Sequence, residues 1–397
     1  MRILHFVSHF SYLSETFIYD EITGLEKLFP QANTVLTFER LLEKERPHSR
    51  VTVLRKTPSL PQKIQRFCLK HLKRKKIPRN HFTLYSYLSR HFDGFEIFHA
   101  HFAWNAIPLF QALKLTNRHR ERPVIVQCRG SDINSATVRG GGYLEQLLEV
   151  ASHDNVVFTA NSEFMKDKLI KLGIAPSQIC RVANAFNNSF LTHRKKSFFK
   201  SGDCLKLIHT GRFIRCKGQA HLVKGFARFT REVYPNSTLT LIGQGETFSE
   251  IKALVESEGV SAKVNFLGAV PHADVARLLS LHDLYVQPSI VDPKTLQAEG
   301  LPVAVLEALA VGLPLIVTRV GGLPEIVGDD HTFARIIPPE DPQAICRALT
   351  EMFEAGSCFQ DTSAYSKIRL AAFSQEKQLQ DLTAAYAQGL ESCRRRK

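Results

Sequence analysis

The fold is decided by Leu205-Lys206-Leu207-Ile208-His209-Thr210-Gly211-Arg212-Phe213-Ile214-Arg215-Cys216-Lys217-Gly218, together with the helical pattern after it and the apolar run Thr238–Ile242. The opening run is β-rich, the glycines bracket a turn, and the helix must carry the chain back before the next strand begins. A strand, helix, strand order of this kind builds a parallel sheet. The scheme continues at Val264–Leu267, Leu284–Gln287, Leu315–Thr318 and Ala334–Ile337. It also holds upstream, where Ile3–Val7, Thr34–Phe38, Ile97–Ala100, Val124–Gln127 and Val156–Ala160 read as strands. Helical patterns at Glu15–Leu28, Phe82–His91, Ile107–Leu115 and Glu163–Leu172 lie between them. The expected class is α/β, with two doubly wound parallel-sheet domains facing across a cleft. The polar, turn-rich stretch Asn184–Asp203 marks their boundary. This predicts a first domain over 1–187, a linker over 188–203, a second domain over 204–373 and a helix over 374–397 that returns to the first domain.

Composition agrees with two globular domains: 397 residues, 44% hydrophobic and 23% charged, exclude disorder and fibrous order. The most apolar run, Leu301–Thr318, holds Pro302, Glu307 and Pro314 and does not read as a membrane span. The opening MRILHFVSHF alternates like a first strand and lacks the features of a secretory leader. Eight scattered cysteines without a Cys-x-x-Cys pair point to reduced thiols and a cytoplasmic chain.

The net charge of +14 is uneven. Residues 1–200 carry 31 Lys and Arg against 16 Asp and Glu, whereas residues 201–397 carry 21 against 22. Residues 55–80 alone hold ten cations and no acid. Within them, Gln62–Lys76 sets Ile64, Phe67, Cys68 and Leu72 on one helical face with Lys and Arg around the rest. Such a helix either packs on the first sheet with a solvated cationic side, or docks the protein peripherally on an anionic membrane surface. Nucleic acid is not an expected partner, because no recognition motif interleaves aromatics with these cations.

In parallel sheets, ligands gather at the carboxyl ends of strands. There Gly211–Gly218 places Arg212 and Lys217 in a strand-to-helix turn, which reads as a phosphate grip or as a basic surface turn. Further on, Glu299-Gly300-Leu301-Pro302-Val303-Ala304-Val305-Leu306-Glu307 opens a helix that Gly312 closes, with Pro302 in its first turn. The helix is apolar all round except for Glu307. That carboxylate either pairs with neighbouring backbone or an Arg, or accepts hydrogen bonds from ribose hydroxyls. Glu299 precedes the same helix, where it can hold sugar hydroxyls, and the amides of Gly300, Leu301 and Val303 are free to face phosphate oxygens.

The order GRFIRCKG, LIGQGE, a strand ending at Val286-Gln287-Pro288-Ser289, EGLPVAVLEALAVGLPLIVT and GGLPEIV resembles family 4 of the GT-B glycosyltransferases, of the exopolysaccharide and lipopolysaccharide type. The resemblance covers most of residues 205–330. It implies two Rossmann-like domains, a retaining reaction and a nucleotide-sugar donor such as a UDP- or GDP-sugar, with no tightly bound cofactor. It further implies that Arg212 and Lys217 hold the donor diphosphate, that Glu307 holds the ribose, and that Glu299 holds the transferred sugar and stabilises charge. Gly243, Gly300, Leu301 and Val303 complete the donor side. No Asp-x-Asp occurs, so a metal is not expected and the cations take its place.

The acceptor, lipid-linked or polysaccharide, is assigned to the first domain. SHFSYLSETFIYDEITGLEKLF resembles a subset of the same enzymes, with Ser14 and Glu15 at the head of the first helix and Ser14 suited to cap it. His99 and His101 share one strand face, and His101 is nearer the carboxyl end. Where the family has His-Gly-x-Asp, this chain has Arg129-Gly130-Ser131-Asp132, and a guanidinium cannot act as a base near neutral pH. Asp132, His101 and the donor phosphate remain as acceptors of the proton. Two other readings compete: a nucleotide-sugar 2-epimerase of the same design, and a non-catalytic binder of anionic lipid or nucleic acid.

Overall fold

A computed structural model describes residues 1–11, 15–57, 79–195, 199–200, 202–328, 332–357 and 359–395, apart from the side chains of residues 79–81. The chain divides into two units. The first comprises Met1–Asn161, Met165–Val182 and Gln378–Lys397, and the second comprises Ser162–Phe164 and Ala183–Lys377.

The first unit contains β1 (Ile3–Phe6), β2 (His9–Phe10), β3 (Asn33–Thr37), β4 (Glu39–Arg40), β5 (Val51–Val53), β6 (Ile97–His101), β7 (Val124–Cys128), β8 (Val156–Ala160) and β9 (Ile179–Arg181). Seven of them form one parallel sheet in the order β5-β3-β1-β6-β7-β8-β9, while β2 and β4 pair separately. The strand order reverses between β1 and β6, and that is where a doubly wound sheet opens a crevice for ligands. The short strands β5 and β9 escape the sequence reading because three residues show no periodicity to recognise. The longer strands β1, β3, β6, β7 and β8 begin and end where the sequence pattern puts them, to within about a residue.

One face of this sheet buries Leu4, Phe6, Phe98 and Val126 against helices that include Ala103–Leu115 and Tyr143–Ala151. On the other, Ile3, Ile97, Ile125 and Val157 pack with Leu25, Leu379, Leu382 and Tyr386. The last three belong to the helix Gln375–Arg394, which lies on the first unit's sheet because Gly389 has no side chain. A Cβ there would sit 2.7 Å from the Cβ of Pro123.

The second unit contains β10 (Leu205–Thr210), β11 (Ser237–Ile242), β12 (Val264–Gly268), β13 (Leu284–Gln287), β14 (Leu315–Thr318) and β15 (Ala334–Ile337). They form a parallel sheet ordered β12-β11-β10-β13-β14-β15, which reverses between β10 and β13. The stretch 188–203, expected to be irregular, contains a 3₁₀ helix at Asn188–His193. Phe186 and Phe190, four residues apart, are buried with the helix Val303–Val311, and that anchorage gives the segment its order. Pro302 is the cap of that helix rather than part of its first turn, since its ψ of 118° is still extended.

Six cysteines, Cys128, Cys180, Cys204, Cys216, Cys346 and Cys393, are free thiols among the described residues. No described helix is long and apolar enough to cross a membrane.

Tyr386 is fully buried and its hydroxyl lies 2.8 Å from His99 Nδ1. Tyr386→Ala should destabilise the chain by about 3–5 kcal/mol, the cost of emptying a large aromatic site. Urea unfolding of the variant checks this, and a loss below about 1 kcal/mol would show that the last helix contributes little to the core.

Candidate functional site

In the second unit the loops after β10, β11 and β13 meet at the switch point, and glycines let them meet. A Cβ on Gly243 would lie 1.9 Å from the carbonyl oxygen of Gly211, and one on Gly218 would lie 1.9 Å from that of Pro288. Gly321 approaches Glu299 in the same way, with 2.0 Å to its carbonyl oxygen. Backbone therefore packs on backbone around the motif, and Gly243 and Gly218 also carry positive φ of 136° and 68°.

Within this frame Lys217 Nζ reaches Glu299 Oε1 at 2.6 Å. The same oxygen accepts from Ser289 Oγ at 3.0 Å and from Gln287 Nε2 at 3.1 Å. Gln287 is oriented in turn by Tyr285, whose hydroxyl donates to its Oε1 at 2.8 Å. Both charged side chains are largely buried, with 15% and 11% exposure, so the three donors offset a desolvation cost that an isolated carboxylate would not survive ionised. Oε2 of Glu299 has no hydrogen-bond partner among the described residues. Cys216 lies between the cations in sequence, and its thiol is pushed up to about 11, first by burial and then by Glu299. Arg212 and Lys217 also act on that thiol, which places both in its neighbourhood. Arg212 is exposed, and no ion pair engages it among the described residues.

Glu307 is 6% exposed, in the middle of an apolar helix. Its Oε1 lies 2.7 Å from His272 Nε2. The sequence offers a backbone group, an Arg or a ribose as partners, and a His from the helix His272–Ser280 is not among them. Nothing in the pattern around His272 signals the pairing, because it arises from helix packing. At the head of Glu307's helix the amides of Gly300, Leu301 and Val303 have no acceptor among the described residues, whereas the carbonyls of Gly300 and Leu301 are taken by Gly322 N and Asn184 Nδ2. That leaves donors at the positive end of a nine-residue helix.

The first unit gathers a second set. On the β1–β6–β7 face the inward side chains change along the strands from Ile3, Ile97 and Ile125 to His5, His99, His101 and Gln127. The register pairs His5 with His99 and His101 with Gln127. His101 is fully buried with both nitrogens engaged: Nε2 with His5 Nδ1 at 3.1 Å and Nδ1 with Gln127 Oε1 at 2.9 Å. Above them Glu21, also fully buried, accepts at Oε2 from Gln127 Nε2 (2.8 Å), Arg129 Nη2 (2.9 Å) and Gln378 Nε2 (3.2 Å). Arg129 is thus tied to a carboxylate that the sequence motifs do not single out. A signal existed, because Glu21 falls on the same helical stripe as Ile18, Ile22 and Leu25.

Asp132 is fully buried, and its carboxylate accepts from backbone N–H groups: Ala103 at 2.8 Å, Gly130 at 2.8 Å and Arg129 at 3.1 Å. Burial raises its pKa, and those amides work against the rise. Gly130 has φ 150° and caps the short helix Ser131–Asn134. Glu15 caps the helix Thr16–Leu28 without a side-chain hydrogen bond to it. Ser14 and the segment Gln62–Lys76 lie outside the described residues.

Known proteins share both the sequence pattern and this architecture. The family profile described as "Glycosyltransferase Family 4" matches residues 17–190, and that described as "Glycosyl transferases group 1" matches residues 192–368. The chain belongs to glycosyltransferase family 4. Among curated relatives, it is 29% identical to N-acetyl-alpha-D-glucosaminyl L-malate synthase of Bacillus anthracis over 60% of this chain and 61% of that protein. It is 27% identical to the putative colanic acid biosynthesis glycosyltransferase WcaL of Salmonella typhimurium, over 48% of this chain and 46% of the relative. The chain therefore spans about half the length of these curated relatives. The crystal structure of Anabaena HepE in complex with UDP superposes with a TM-score of 0.75 at 17% identity, covering 97% of this chain and 99% of HepE. That likeness establishes the GT-B fold for this family 4 chain, as the two doubly wound sheets require.

Two buried imidazoles, His5 in the first unit and His209 in the second, are held down to about 4, against 6.5 when free, chiefly by burial. Between those values the unfolded chain binds protons that the folded chain refuses. The stability these rings contribute is complete above pH 6.5 and is lost as pH falls toward 4. Urea midpoints should therefore drop between about pH 7 and pH 5, and equal midpoints would contradict the assignment.

Proposed function

We propose that this chain transfers a sugar, with retention of configuration, from a nucleoside diphosphate sugar to a lipid-linked or polysaccharide acceptor in the assembly of a cell-surface glycan. The observation that carries the reading is the arrangement at the switch point of the second unit. There the Lys217–Glu299 pair, the exposed Arg212 and the amides of Gly300, Leu301 and Val303 all belong to loops and a helix head at the carboxyl ends of the strands. Phosphate oxygens suit those amides and cations, and hydroxyl groups suit the open oxygens of Glu299 and Glu307. HepE, of the same fold, is described in complex with UDP, and WcaL is named for colanic acid biosynthesis. Both names agree in kind with this substrate class.

In the proposed reaction the donor diphosphate departs as the acceptor oxygen arrives on the same face of the sugar. Arg212 and Lys217 stabilise the negative charge that develops on the leaving group, without a metal, and Glu299 holds the transferred sugar while answering the positive charge on it. Arg129 is a permanent cation, the Asp132 carboxylate accepts from backbone amides and both nitrogens of His101 are engaged, which supports the departing phosphate as the group that takes the acceptor proton.

Lys217→Ala and Glu307→Ala should each lower turnover of the donor about 100-fold while the protein stays folded. Radiolabelled transfer, preceded by a thermal-shift panel of UDP, GDP and their sugars, measures this, and transfer should persist in EDTA. Normal rates in either variant would remove the donor assignment.

The cationic stretch Gln62–Lys76 supports a second element of the proposal, peripheral docking on anionic lipid at the cytoplasmic face of a membrane. Flotation should recover the protein with vesicles containing phosphatidylglycerol and not with neutral ones. Equal recovery with both, or none with either, would exclude it.

A further inference from the structure

Glu307 is the fifth residue of the helix Val303–Val311, and every other side chain of that helix is aliphatic. Nothing on its own element can therefore donate a hydrogen bond to the carboxylate, and from Val305 to Val311 the whole stretch is buried. An acid in that setting needs a donor brought from another element, and the donor decides which way its two oxygens face.

His272 is that donor. Its Nε2 lies 2.7 Å from Glu307 Oε1, and because an ionised carboxylate only accepts, this nitrogen carries the proton. The distance is that of a charge-assisted hydrogen bond. Pro271, extended at ψ 137°, caps the helix His272–Ser280 and delivers His272 as its first residue. The imidazole rests against the ring of Phe190, with centroids 5.2 Å apart. Phe190 is buried in the same core as Val305, Leu306 and Leu309 of the Glu307 helix. A ring backed by a buried aromatic on one side and bonded to an acid has little freedom to turn. The pair stands at the edge of the core, with 27% of the His272 side chain and 8% of the Glu307 side chain exposed, so a ligand can reach it.

No hydrogen bond engages Glu307 Oε2 among the described residues. The remaining oxygen is thus held in place and still able to accept. Tyr285 on β13 connects it with the rest of the site: burial first, and then the charges of Glu307 and Glu299, push the tyrosine hydroxyl up. Both acids therefore act on one side chain beside the switch point.

We infer that His272 is a positioning residue for the ribose of the donor: it takes up one oxygen of Glu307 and thereby turns the other toward the ribose hydroxyls. The inference rests on the proposed donor site and deepens it, because it assigns to His272, through Glu307, the preference for a ribonucleoside diphosphate over its 2′-deoxy form. His272 itself need not touch the nucleotide.

Titration calorimetry on the full-length protein tests this with two pairs of probes, UDP with 2′-deoxy-UDP and GDP with 2′-deoxy-GDP. The ribonucleotide of the pair that binds should bind about tenfold tighter than its deoxy form, as expected for a hydroxyl donating to a carboxylate. His272→Ala should weaken the ribonucleotide about tenfold and the deoxynucleotide little, so that their ratio falls toward one. His272→Gln, which keeps an N–H donor at similar reach, should restore most of the ratio. In a Glu307→Gln background His272→Ala should add no further loss, because a residue that works through another has nothing left to position. A structural role alone would weaken both nucleotides equally and leave the ratio unchanged, and that result overturns the inference. So does wild-type affinity in His272→Ala, a Gln variant no better than the Ala variant, or the full loss recurring in the Glu307→Gln background. Binding of UDP or GDP to the wild type keeps the two failures apart. If one of them binds and the ratio does not respond to His272, only this inference falls. If neither binds, the donor site falls and takes the inference with it.

Discussion

A carboxylate removed from water must be met by donors, and each unit is arranged around one that is. In the second unit Glu299 Oε1 collects Lys217, Ser289 and Gln287 within 3.1 Å. In the first, Glu21 Oε2 collects Gln127, Arg129 and Gln378 within 3.2 Å. In both, the acid lies next to the carboxyl ends of strands flanking a reversal of strand order. Removing one donor would strand a buried charge, which is more damaging than never having had the pair. These two oxygens thus constrain which side chains the surrounding loops can bear.

The two clusters differ in what they leave available. Glu299 keeps a second oxygen unengaged beside a helix whose leading amides have no acceptors among the described residues, and Arg212 remains in solvent. That is a site with donors and acceptors still to satisfy. The Glu21 cluster is enclosed rather than open: Glu21, His101 and Gln127 are at most 2% exposed and Gln127 joins the other two, while Glu21 Oε1 is buried with no hydrogen-bond partner among the described residues. Its Glu21 holds Arg129 Nη2 at 2.9 Å.

Much of this was legible in the chain itself. Strand runs such as Val156–Ala160, Leu284–Gln287 and Leu315–Thr318 are continuous, β-branched and bounded by turns, so their limits could be read to the residue. The three-residue strands Val51–Val53 and Ile179–Arg181 could not, because sheet neighbours and not local pattern make them strands. Glu299, Glu307, Arg212 and Lys217 stood out because a charge amid glycines or apolar residues is conspicuous at any distance from its partner. The partners did not stand out. His272 meets Glu307 only because two helices pack, and Gln378 reaches Glu21 across more than 350 residues of sequence.

Sequence alone determined the class of fold, two parallel sheets wound by helices, and the motifs that identify a family 4 glycosyltransferase. It could do so because hydrophobic period and turn chemistry are local properties, readable along one strand or helix at a time. Tertiary structure alone decided which side chain answers each buried charge, and that His101 and Asp132 are enclosed and occupied. These are properties of distance in space, and a hydrogen bond at about 3 Å depends on the register of strands and the packing of helices that no single segment encodes.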